Sequence, residues 1–146
     1  MPVDKALGYL SLARKAGRVE LGEEPVGAAA RAHHARLLVV AGDASDHTWR
    51  RAKSFVNGTD QQCLRVPYTK QELGQATGRT ELALAALTDP SMAVAFVKAL
   101  ENPEKYAGVL EKLTQKAQRI DARQKEAKAH ARNVKKGQFR RKPKVK

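Results

Sequence analysis

The stretch Leu37-Leu-Val-Val-Ala-Gly-Asp-Ala-Ser45 decides the fold. Its opening run, Leu37 to Ala41, is apolar without a break and too short for a helix, so it predicts a strand buried on both faces. Asp43 to Ser45 then supply oxygens that can cap a helix over residues 47–56, which Asn57-Gly58 ends. A doubly buried strand that feeds directly into a helix belongs to a sheet with helices packed on both sides.

The flanking segments repeat this alternation. Upstream, Ala6, Leu7, Tyr9, Leu10, Leu12, Ala13 and Ala16 recur at helical spacing, with Asp4 as N-cap and Gly17 as the stop. Arg18-Val-Glu-Leu21 alternates as a short strand does. Gly22 then turns the chain into a helix over 24–33, whose first turn accepts Pro25 because the missing N–H is not needed there. Downstream, a strand over 63–66 leads to Pro67, and Thr69 with Glu72 forms a capping box for a helix that Gly78 closes. The run Leu82 to Leu87 predicts a fourth strand, and Thr88-Asp-Pro-Ser91 a loop and cap before a helix carrying Met92, Ala95, Phe96, Ala99 and Leu100 on one face. The predicted class is α/β: a three-layer α/β/α sandwich with a four-stranded mixed sheet, followed by a basic C-terminal helix and a disordered tail.

Charge divides the chain more sharply than hydropathy. Lys and Arg number 28 against 15 Asp and Glu, a net of +13. Residues 1–103 hold 13 basic and 11 acidic side chains, so eleven of the thirteen net charges fall in the last 43 residues. Asn102-Pro103 is the natural boundary, because the residue before a proline leaves the helical region. We therefore read a domain over 1–102, a basic helical extension over 103–133, and a disordered basic tail over 134–146. In the extension Tyr106, Leu110, Leu113, Ala117 and Ile120 step at three and four, the mark of a docking face, and beyond Ile120 only alanines keep the period. Arg119, Arg123, Lys125, Lys128, Arg132, Lys135, Lys136, Arg140, Arg141 and Lys142 make this region a phosphate-binding arm rather than a reader of sequence.

Three ordered motifs add to this reading: Leu12-Ala-Arg-Lys-Ala-Gly-Arg-Val-Glu-Leu-Gly-Glu-Glu24, then Leu37 to Ser45 with Thr48, then Val66-Pro-Tyr-Thr-Lys-Gln-Glu-Leu-Gly-Gln-Ala-Thr-Gly78. Together they resemble the large-subunit ribosomal protein seven-Ae/thirty-e family of kink-turn RNA binders, most closely its small bacterial YlxQ-type branch, over roughly residues 5–100. The resemblance implies that the turn and start of the second helix, Gly22, Glu23 and Glu24, lie against a bent phosphate backbone. Strong binders there carry Gly-x-Asn-Glu-x-x-Lys. This chain keeps Gly22 and has Glu24, Pro25 and Ala28 at the asparagine, glutamate and lysine positions, which makes the edge less welcoming to phosphate. The same resemblance brings in Lys15 and Arg18 beside the first strand, Lys70 at a helix start, and the loop Thr88, Asp89 and Pro90, where family members pack small and apolar side chains against unstacked bases.

Catalysis finds little purchase. His33, His34, His47 and His130 show no metal-ligand spacing with Cys63, and no phosphate-binding Gly-x-x-x-x-Gly-Lys loop or dinucleotide fingerprint occurs. We expect no catalytic residues, no metal, no cofactor and no small-molecule substrate. A single cysteine, no leader-like N-terminus and no long apolar run point to the cytoplasm, away from the membrane. The expected partner is RNA, ribosomal or otherwise structured, with the translation machinery and the ribosome as setting. A second reading takes the weakened edge and the apolar face from Tyr106 to Ile120 as a protein-interaction surface or self-dimer contact.

Overall fold

The computed structural model describes residues 5–141, with the main chain alone at 103 and 132–141. Asp4, expected as the first N-cap, and Lys142 lie outside the described residues. The elements run α1 (Lys5–Lys15), β1 (Val19–Leu21), α2 (Glu23–Arg31), β2 (Leu37–Val40), α3 (Asp46–Val56), β3 (Gln62–Arg65), α4 (Lys70–Thr77), β4 (Leu84–Leu87), α5 (Pro90–Ala99) and α6 (Pro103–Arg141). The sheet has the order β1-β4-β2-β3. β4 runs antiparallel to both β1 and β2, while β2 and β3 are parallel, so the sheet is mixed and β4 alone points the other way.

The two central strands carry the core. Every residue of β2 and of β4 is buried, as an uninterrupted apolar run requires when helices cover both faces. α2 and α3 pack together on one side of the sheet, and α1 packs with α4 and α5 on the other, which completes the α/β/α sandwich. Burying side chains such as Leu37, Leu38, Leu87 and Phe96 stabilises the fold by about 1.5–3 kcal/mol each before conformational entropy is charged. The helices close where their sequences say. Ser45 caps α3, Asp89 caps α5 by accepting from the Met92 N–H at 2.8 Å, and Thr69 and Glu72 form the capping box of α4. The buried amide of Gln61 is fully used, accepting from Ala35 N–H and donating to the Ala30 carbonyl, and so ties the turn after α2 to the start of β3.

The structure corrects several boundaries. Leu82 is buried but precedes β4, because its N–H goes to the Lys70 carbonyl rather than to a strand. α2 stops at Arg31, and His33 takes a left-handed φ of 59° at the turn that follows. Leu12, placed on the apolar face of α1, is instead 53% exposed. At the C-terminus α6 runs as one helix from Pro103 to Arg141, and residues 142–146 of the expected tail lie outside the described residues. Lys, Gln and Arg are good helix formers, and Gly137 is a single weak position that a helix already under way tolerates.

Among the described residues, α6 is docked through its N-terminal part. Tyr106 and Leu113 are buried against α5 and β3, and the Tyr106 hydroxyl donates to the Arg65 carbonyl at 3.4 Å. Lys116 adds an ion pair to Asp60 at 2.6 Å. Beyond this anchor every residue from 121 to 131 is exposed. From Leu113 to Arg141 the helix extends about 42 Å at 1.5 Å per residue.

Candidate nucleic-acid interface

Because β1, β2 and β3 point one way, their C-terminal ends share one end of the sheet, and α2, α3 and α4 begin there. This end is where ligands gather in open α/β sheets, since helix N-termini converge on it. The three helix starts differ. α3 and α4 have side-chain caps, and the first N–H of α4, that of Lys70, donates to Asp43 Oδ1 at 2.8 Å. Asp43 thus joins the β2–α3 turn to α4 rather than capping α3. With two of its first three N–H groups taken, α4 does not offer phosphate the open cradle expected beside Lys70.

α2 is built differently. Its N-cap is Gly22, at φ 96° and ψ 163°, a conformation that strains any residue with a Cβ, and there is no side chain to cap the helix. The N–H groups of Glu23 and Glu24 therefore open the helix without a side-chain acceptor. A Cβ at Gly22 would lie 3.6 Å from Arg79 Nη1, so the Arg79 guanidinium overhangs this turn. Arg79 belongs to the loop between α4 and β4. That loop is held close to α4 by Gly74, where a Cβ would meet the Arg79 carbonyl and the Glu81 nitrogen at 2.8 Å. Glu23 is neutralised from the other flank by Arg51 at 3.2 Å, while Glu24 is exposed and keeps a carboxylate at the edge.

The residues singled out in the sequence fall into separate places. Gly22, Glu23, Glu24 and Lys70 share the end just described. Arg18, Thr88, Asp89 and Pro90 lie at the opposite end of the sheet, because β1 starts and β4 finishes there. In that position Arg18 pairs with Asp89 at 3.2 Å, Thr88 N–H donates to the Arg18 carbonyl, and Pro90 opens α5. Lys15, exposed at the end of α1, belongs to that end too. The structure does not bring Thr88–Pro90 to Gly22. It brings Arg79, which the sequence reading missed. Arg79 carries no local signal beyond following the helix stop Gly78, and its role depends on β4 being inserted antiparallel between β1 and β2.

Arg119, Arg123, Lys125 and Lys128 are exposed on the undocked length of α6. Arg132, Lys135, Lys136, Arg140 and Arg141 continue the same helix along its main chain. Acidic residues are sparse there: Lys125 pairs with Asp121 one turn away at 3.2 Å, a contact that exposure makes weak. The apolar face from Tyr106 to Leu113 is covered by the chain's own α5 and β3. Cys63 stands beside Lys53 and Arg65, yet burial dominates and pushes its thiol up to about 12, so it is not a nucleophile at neutral pH. Among the described residues no group of His, Cys, Asp or Glu is arranged to hold a metal ion, and no helix is long and apolar enough to cross a membrane.

No family model matches the chain, and no curated protein matches it. Solved structures do. A protein of unknown function from Bacillus halodurans C is similar at 24% identity and a TM-score of 0.64, over 68% of this chain and the whole of that one. The 15.5kD RNA binding protein of Giardia lamblia is similar at 13% identity and a TM-score of 0.56, over 75% of this chain and 87% of that one. These likenesses establish a shared fold, which by itself carries no activity.

Proposed function

We propose that this protein binds structured RNA, with ribosomal RNA as the first target class, and serves the translation machinery in the cytoplasm without catalysing a reaction. The observation that carries this reading is the joining of two unlike parts. A nearly neutral sandwich presents the uncapped start of α2 under Arg79, and a basic helix projects from it well beyond the last buried side chain. The exposed N–H groups and Arg79 offer hydrogen bonds and one cation to a bent backbone, which suits shape recognition. The arm offers charge without geometry, which suits affinity. The RNA-binding protein of Giardia, built on the same fold, supports the reading, as do the ordered motifs of the kink-turn family.

Glu24, Pro25 and Ala28 weaken the electrostatics of the edge, so the arm supplies most of the binding energy and the domain most of the discrimination. The protein-interaction reading loses its apolar surface, since α6 uses that face on its own domain. The test is RNA crosslinking in cells followed by sequencing, on the full chain and on a chain ending at Ala117, which keeps Tyr106, Leu113 and Lys116 in place. Reads from both that focus on one structured site support the proposal. Reads that scatter over all RNA in both chains contradict it.

A further inference from the structure

A groove of about 540 Å³ runs along the outer flank of α2, from Pro25 near the candidate edge to Thr88 at the far end of the sheet. Its floor is Ala28 and Ala29 of α2 with Ala32 just past the end of that helix, none with a side chain beyond a methyl, so a planar ring can lie flat against them. Its walls are polar and of opposite sign: Glu20, half-buried on the edge strand β1, and Arg36, at the entry to β2. Their charges are not satisfied by each other, as no ion pair joins them. Arg36 is held in place by its main chain, with its N–H donating to the Leu87 carbonyl at 2.8 Å, yet its Nε is buried and has no hydrogen-bond partner.

We propose that this groove is a subsite for an unpaired guanine base of the bound RNA. Among the four bases, guanine presents two adjacent donors, N1–H and the N2 amine, that match a carboxylate such as Glu20. It also presents two adjacent acceptors, O6 and N7, that match the fork of a guanidinium such as Arg36. Adenine places an acceptor where the carboxylate needs a donor, and the pyrimidines offer no second fork. Splaying one base into an apolar slot and reading its edges is how proteins recognise single-stranded and bulged RNA. The inference rests on the RNA-binding reading and adds a base preference to it.

The test is a ¹H–¹⁵N NMR titration of the full chain with the RNA pentamers UUGUU and UUAUU and with free GMP and AMP. UUGUU is expected to shift the amides of Ala28, Ala29, Ala32 and Thr88, and UUAUU to shift only residues of the arm. Glu20→Gln and Arg36→Met are each expected to weaken UUGUU about tenfold, the effect of losing one bidentate base contact, and to leave UUAUU unchanged. Groove shifts of equal size with both pentamers, or none with UUGUU while the arm responds, overturn the subsite and leave the RNA-binding reading standing. Absence of any response to either pentamer, together with no binding of structured RNA, overturns both. GMP that shifts the groove more strongly than UUGUU overturns the assignment to RNA in favour of a free nucleotide.

Discussion

The sandwich and the arm are held together by opposite physics. In the sandwich, apolar burial on both faces of β2 and β4 fixes every element, and charges appear as local pairs such as Arg51 with Glu23 and Arg18 with Asp89. In the arm beyond Leu113, little is buried and like charges stand within a turn of each other, an arrangement that destabilises an isolated helix. The sandwich is therefore complete in itself, while the arm, under the function proposed above, takes a polyanion as its partner. The proposed function thus assigns shape and affinity to separable pieces of one chain.

The comparison can be broken most severely by removing the arm. If the arm neutralises about six phosphates, the full chain should lose on the order of a thousandfold in affinity for structured RNA between about 50 and 200 mM salt, and far less should be lost by a chain ending at Ala117. Its thermal unfolding should be nearly unchanged, and filter binding beside a melting curve checks both. Next in size is the hinge between the parts. Leu113→Ala removes a buried anchor of α6, and chemical denaturation should register a loss of about 2–3 kcal/mol, since buried Leu→Ala changes cost 2–5 and this site lies near the surface of the core.

A third substitution set sharpens the contrast by changing the sandwich's share. Glu24→Asn, Pro25→Glu and Ala28→Lys together, in the chain ending at Ala117, should raise affinity for a kink-turn RNA by about tenfold or more, the worth of a hydrogen bond involving a charged group. Affinity for a plain duplex should not follow. Ala28 also floors the guanine groove, so the pentamer preference is tested in the parent chain.

The smallest effect is expected at Lys116. Its hydrogen bond, ahead of the opposing cost of burial, holds the Asp60 carboxyl below its ordinary value of 3.8. A depressed carboxyl contributes stability that is present above that ordinary value and lost as pH falls below it. Asp60 is exposed while Lys116 is half-buried, so Lys116→Ala should cost less than about 1 kcal/mol at neutral pH, and the gap from the parent should close below about pH 4. Urea denaturation at both pH values measures the difference.

How much was legible in the sequence follows the same division. The run Leu37 to Val40 announced a central strand because only a fully buried strand tolerates that pattern, and Thr69 with Glu72 announced a helix start because the capping box is local chemistry. What local patterns could not carry was direction. Local spacing does not say at which end of the sheet Thr88–Pro90 falls relative to Gly22. Antiparallel insertion of β4 sends that loop to the other end and delivers Arg79 instead. The groove was hidden for a related reason, since Glu20, Ala28 and Arg36 stand on three elements with nothing in their spacing to join them.

The most direct test of the central claim is the salt dependence of RNA affinity for the full chain and for the chain ending at Ala117, each measured against one structured ribosomal RNA fragment and one homopolymer. The account predicts a steep fall of log affinity with log salt for the full chain and a shallow one for the shortened chain, with preference for the structured fragment preserved in both. Equal slopes in the two chains, or a preference that disappears with the arm, would contradict the assignment of affinity to the helix and discrimination to the sandwich.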